Sequence, residues 1–156
     1  MFHRWAALLL VLALCAMSPK TAAGQTQSTP RGQKSVRPPH PNPFNPDIRI
    51  PFPVEPNDGC ADANRFNLVT VRISNVLSQE VAIPVLEDGS LSGTTSVPTA
   101  LIGATLSNVK LVCGDYEAFW NGLVKGTTKY AASGVYLVQV FVNGKPTYSV
   151  RIMNRK

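Results

Sequence analysis

Histidine is almost missing from this chain. There are two, His3 and His40, and residues 41–156 hold none. That stretch therefore lacks the most usual general base and metal ligand. Acid is missing from the other end: no Asp or Glu occurs in the first 40 residues. Long apolar runs are scarce. The longest is the 12 residues Ala6–Met17, well short of the roughly 20 a membrane-spanning helix needs. Helical periodicity is lacking after that run, and no Gly-x-Ser-x-Gly, Cys-x-x-Cys, His-Glu-x-x-His, EF-hand loop or glycine-rich phosphate cradle occurs. Taken together, these absences lead to the expectation that the chain is not an enzyme and carries no cofactor.

What is present begins with a leader. A short polar start, His3 and Arg4, precedes the Ala6–Met17 run, and small residues follow at Ala22, Ala23 and Gly24. This is the order of a secretory signal peptide, predicted over residues 1–23. It implies export across the inner membrane, with a final place at the cell surface, in the medium or in the periplasm, and no membrane span in the mature protein. Cys15 admits a rival reading as a lipoprotein acylation site. Large Leu14 precedes it, and it lies inside the apolar run rather than at its end.

The formal charge of +6 suggests nucleic acid until it is mapped. Residues 41–156 contain ten Lys/Arg and all nine acids, so the excess sits in the N-terminal arm. A basic arm beside a nearly neutral domain is not a groove that follows phosphates, so no nucleic-acid partner is expected. Residues 24–40 read as a disordered, proline-rich basic linker. Val36 is their only aliphatic side chain, too little apolar surface to offset ordering entropy.

Beyond the leader, two cysteines remain, Cys60 and Cys113. An even count in an exported chain predicts a disulfide between them. The acids Asp58, Asp62, Asp115 and Glu117 flank the pair. They read as polar loop tips, with a calcium site as the alternative.

From Pro41 onward the pattern is that of strands. Ile48 and Ile50 alternate with Arg49, and Pro51 and Pro53 place this segment at a sheet edge. Val69, Val71 and Ile73 alternate with Thr70, Arg72 and Ser74, a half-buried strand. Ser78–Leu86 reads as its partner, with Val81 and Ile83 on one face and a turn at Leu77–Glu80. Residues 87–107 read as an elaborated loop with a short strand near Ala100–Ile102. Val109–Trp120 reads as a strand pair or one bent strand. Asn143-Gly144 predicts a type I′ hairpin between two alternating segments, with Val142 opposite Lys145 and Leu137 opposite Val150. Tyr148, Val150 and Ile152 form the apolar stripe of the last strand. Short strands at this spacing predict an all-β antiparallel sandwich of about seven strands.

The segment Pro41–Phe52, PNPFNPDIRIPF, resembles the opening of the type IX secretion C-terminal sorting domain. It is also similar to the immunoglobulin-like domain of flagellar hook-capping proteins. The likeness continues in order through Ile73–Val81, Trp120–Gly122, Ala132–Val140 and Val150–Lys156. Ser78 stands where that family usually has a turn glycine, and Asn57–Asn67 and roughly Ser90–Val112 are additional. The resemblance implies an immunoglobulin-like fold over 41–156 that serves outer-membrane export or surface attachment. Its partner would be the export or attachment machinery. By the same resemblance, Asn42, Pro43, Phe44, Asn45, Pro46, Trp120, Gly122, Gly134, Val135 and Tyr136 form the sorting motif. The alternative is a free-standing structural or adhesive envelope protein that binds partners through the sandwich.

Overall fold

The computed structural model describes residues 36–62, 64–87 and 97–156. The predicted signal peptide, Cys15, most of the predicted linker and the middle of the 87–107 loop lie outside the described residues. The rest is β-structure in two antiparallel sheets. The smaller has the order β1 (Ile48–Val54), β6 (Gly114–Trp120), β4 (Val85–Leu86). The larger has the order β3 (Glu80–Ala82), β2 (Asn67–Ser74), β7 (Gly134–Val142), β8 (Lys145–Asn154). A further strand, β5 (Val109–Leu111), pairs with β2 beside β3. The prediction of an all-β chain holds. Among the described residues there are eight strands rather than about seven, the extra count arising from very short pieces that sequence patterning resolves poorly.

The inner faces follow period two. Ile48, Ile50, Phe52 and Val54 of β1 and Tyr116, Ala118 and Trp120 of β6 are buried. They join Val69, Val71 and Ile73 of β2, Tyr136, Val138, Val140 and Val142 of β7, and Ile152 of β8 in one core. Full burial of such side chains contributes about 1.5–3 kcal/mol each against the entropy of ordering the chain. The sheets meet through aromatic rings: Trp120 on β6 meets Tyr136 on β7 edge-to-face at 5.6 Å.

Four expectations need correction. The partner of β2 is only three residues long, and Ala82, not Val81 or Ile83, is its buried residue. The chain then crosses at Ile83-Pro84 into the other sheet, so one apolar run serves two sheets. In place of a strand near Ala100–Ile102 there is a 3-10 turn, Thr99–Leu101. Val109–Trp120 forms β5 and β6, which lie in different sheets and do not pair with one another. The hairpin is as predicted at its tip: Asn143 (φ 52°) and Gly144 (φ 78°) make the tight turn, and Val142 faces Lys145. Farther on, Leu137 faces Arg151 rather than Val150, because a bulge shifts the register between Val140 and Phe141.

The turn after β2 is organised by Asn75. Its Oδ1 accepts from the N–H groups of Leu77 and Gln79, both at 3.0 Å. Ser78 in that turn sits at φ 61°, in the left-handed region. Ser78→Gly is expected to stabilise the fold by about 1 kcal/mol, since a Cβ there costs roughly that much. A rise in urea midpoint with an unchanged slope would register it.

Candidate functional site

The register divides the sandwich into two ends. Ile48 pairs with Trp120 at one end of the smaller sheet, and Val54 with Gly114 at the other. At the Val54 end lies the disulfide Cys60–Cys113, with a Cα–Cα distance of 6.0 Å. It ties the β1–β2 connection to the β5–β6 crossover. The Asn143-Gly144 tip lies at the same end, where Leu68 N–H donates to Asn143 Oδ1 at 3.0 Å. Asn143 Nδ2 donates to Asn67 Oδ1 at 2.9 Å.

Three of the four acids near the cysteines, Asp58, Asp62 and Glu117, have separate environments. Asp58 takes a bidentate grip from Arg65 at 2.9 and 3.0 Å, which holds its carboxyl below the usual range. Asp62 Oδ1 accepts from Asn64 N–H at 2.9 Å. Glu117 is buried on β6, with its carboxylate 3.8 Å from His40. Among the described residues, no group of three His, Cys, Asp or Glu side chains is placed to hold a metal ion.

The other end gathers the motif residues. His40 ladders with Arg49 at the edge of β1, extending the sheet into the segment read as linker. Four residues later Phe44 ladders in parallel with Asn154 at the edge of β8. Phe44 N–H donates to Met153 C=O at 2.9 Å, and Arg155 N–H donates to Phe44 C=O at 3.0 Å. Residues 40–46 thus form a strap from one sheet to the other. Prolines at 41, 43 and 46 suit this path, because a strap that changes sheets has few ladder partners for its N–H groups. Asn42 fastens it by side chain: Met153 N–H donates to Asn42 Oδ1 at 2.9 Å.

Under the strap lies an aromatic stack. Phe44 is tilted against Trp120 at 5.4 Å, and Trp120 meets Tyr136. Trp120 Nε1 donates to Leu123 C=O at 2.9 Å, and Tyr136 Oη donates to Ala132 C=O at 2.7 Å, so both buried rings have partners for their polar ends. Gly122 (φ 78°) lies directly against the Pro46 carbonyl, with no room for a side chain between them. Gly134 and Val135 open β7 opposite Asn154 and Met153. Asn45 and Pro46 are exposed on the strap.

The ten residues of the expected motif therefore occupy one end of the molecule, although up to 94 positions separate them in sequence (42 to 136). Sequence reasoning missed one role and one contributor. Asn42 was named, but not as a clasp on β8. Asn154 was not named at all. It is buried, and its Nδ2 donates to Ala131 and Ala132 C=O at 2.9 and 3.2 Å. An asparagine at an inward position of an alternating strand, two after Ile152, was the available signal.

Burial pushes the hydroxyls of Tyr136, Tyr116 and Tyr148 above the ordinary tyrosine value. The unfolded chain then releases these protons first, so stability is full below about pH 10 and falls as pH rises through the folded-state values. An alkaline melting series should show that decline only above about pH 10, tracking tyrosinate absorbance.

No protein-family model matches the chain, and no curated protein matches it. Among solved structures, it is similar to the alkylpurine DNA glycosylase AlkC of Pseudomonas fluorescens, solved bound to DNA containing an abasic-site analogue. Identity is 19% and the TM-score 0.44, over 76% of this chain and 29% of that one. The chain thus spans less than a third of the glycosylase's length. This neighbour is an enzyme, which corrects the expectation that the chain is not one: that exclusion is withdrawn. The same TM-score is too low to argue for any particular chemistry. Among the described residues, no helix is long and apolar enough to cross a membrane.

Proposed function

We propose that residues 41–156 are an immunoglobulin-like sandwich that acts as an export or surface-attachment module, akin to the type IX secretion C-terminal sorting domain. The observation that supports the reading most is the convergence at the strap end. Short sequence blocks would be scattered over the fold if each served only its own turn. Here the proline-rich strap, the Trp-Asn-Gly turn, the start of β7 and the end of β8 build one continuous surface around a rigid aromatic base. Rigid elements present a recognition surface at low entropic cost. The disulfide suits an oxidising compartment outside the cytoplasm.

The test is made in the native host. Cells are fractionated with and without the type IX machinery, and the ends of the mature chain are read by mass spectrometry. The proposal expects the protein at the surface or in the medium when the machinery is present and its retention in the periplasm when it is removed. Identical distribution in both strains would dismiss it.

A further inference from the structure

We propose that β8 carries a strand-addition site for an extended peptide that alternates acidic and apolar residues. The inference does not rest on the export reading, since the edge would receive its strand whether or not the domain directs transport.

β8 ends the larger sheet on one side, and at ten residues it is the longest strand. Its outward backbone groups can be identified from the strap. Met153 N–H and C=O, Arg155 N–H and Arg151 C=O are the groups that Asn42 and Phe44 engage. Two-residue alternation then aims Arg151 N–H and both backbone groups of Ser149 the same way. Among the described residues nothing pairs with them. The strap therefore begins a ladder along β8 and leaves its continuation open.

The other edges are closed to such a partner. On β1, Arg49 exchanges its bonds with His40, and the next outward positions are Pro51 and Pro53, which have no N–H to give. β3 and β5 have three residues each and β4 two. Prolines and shortness are the ordinary devices that blunt an edge, and β8 shows neither along Thr147–Asn154.

Side chains define the occupant. On the inward side of β8, Tyr148 and Val150 are half-buried and pack at the rim of the core. An added strand would cover them with apolar residues at alternate positions. On the outward side Arg151 is exposed and makes no ion pair among the described residues. Lys145–Lys156 contains four basic residues and no acid, so the intervening positions of the guest are acidic. The same charge count opposes a second copy of β8. An antiparallel pair of β8 edges would bring basic residues against basic residues.

The probe is a blocked hexapeptide of alternating Glu and Val, with its Lys–Val counterpart as control, added to the full oxidised chain at low salt. Amide hydrogen exchange of Ser149 and Arg151 is the readout. The proposal expects their exchange to slow at least tenfold with the Glu peptide and to be unchanged with the Lys peptide. Arg151→Glu should weaken binding at least tenfold. Ser149→Pro should abolish it while leaving the circular dichroism spectrum intact, because its N–H makes no bond within the fold. Unchanged exchange with millimolar Glu peptide, equal binding of the Lys peptide, or a β8-paired dimer in sedimentation without any peptide would each overturn it.

Discussion

Gly122→Ala is expected to destabilise the domain by about 3 kcal/mol or more, lowering its melting temperature on the order of 10–20 °C. Two costs combine. The residue sits at φ 78°, where a Cβ costs roughly 1–2 kcal/mol. The new carbon would also fall far inside contact distance of the Pro46 carbonyl oxygen, which is backbone and has no rotamer to escape into. Gly126→Ala isolates the first cost. Its φ is 71° and nothing lies within 4 Å of a Cβ built there, so only the backbone penalty should appear. The difference between the two variants measures the contact between the strap and the Trp120–Gly122 turn. Equal losses in both would mean that the strap is not seated on that turn.

The second large effect is loss of the disulfide. The cysteines are 53 residues apart. A loop of that size, if open in the unfolded chain, gives a chain-entropy cost of about 4 kcal/mol. Cys60 is exposed, so Cys60→Ser leaves no core cavity and the effect acts through the unfolded state. Cys60→Ser, Cys113→Ser and the double variant should therefore melt alike, each well below the oxidised chain and each matching the wild-type chain under reductant. A difference below about 1 kcal/mol between oxidised and reduced protein in urea would remove the bridge from the account of stability.

The legible parts of the sequence were those with a local cause. Asn143-Gly144 announced its turn because two consecutive residues at positive φ leave few alternatives. Val69, Val71 and Ile73 announced β2 because a half-buried strand must alternate. Pro51 and Pro53 placed β1 at an edge, since a central strand cannot lose two donors. The two cysteines gave the bridge by count. Failures came where one stretch serves two sheets. Ser78–Leu86 has no residue that marks the crossing at Ile83-Pro84 as different from a bend within one strand. Val109–Trp120 likewise hides its crossing at Val112-Cys113 in a continuous apolar-rich run. The bulge that moves Leu137 from Val150 to Arg151 has no turn residue to signal it. Composition described residues 36–40 as linker, yet His40 takes a place in the sheet, because a single ladder partner needs no apolar side chain. The motif residues were named through resemblance, but their meeting at one end depends on contacts such as Phe44–Trp120 that periodicity cannot supply.

The fold, and with it the proposed function, rests on the strap joining the two sheets. The direct measurement is amide hydrogen exchange, by NMR, of Phe44 and Arg155 in the oxidised chain. Both amides are hydrogen-bonded only if residues 40–46 dock on the edge of β8. The account predicts exchange slowed on the order of a hundredfold or more relative to an unstructured peptide, and loss of that protection in Gly122→Ala. Exchange of both amides at unstructured rates, with β7 and β8 still protected, would contradict it.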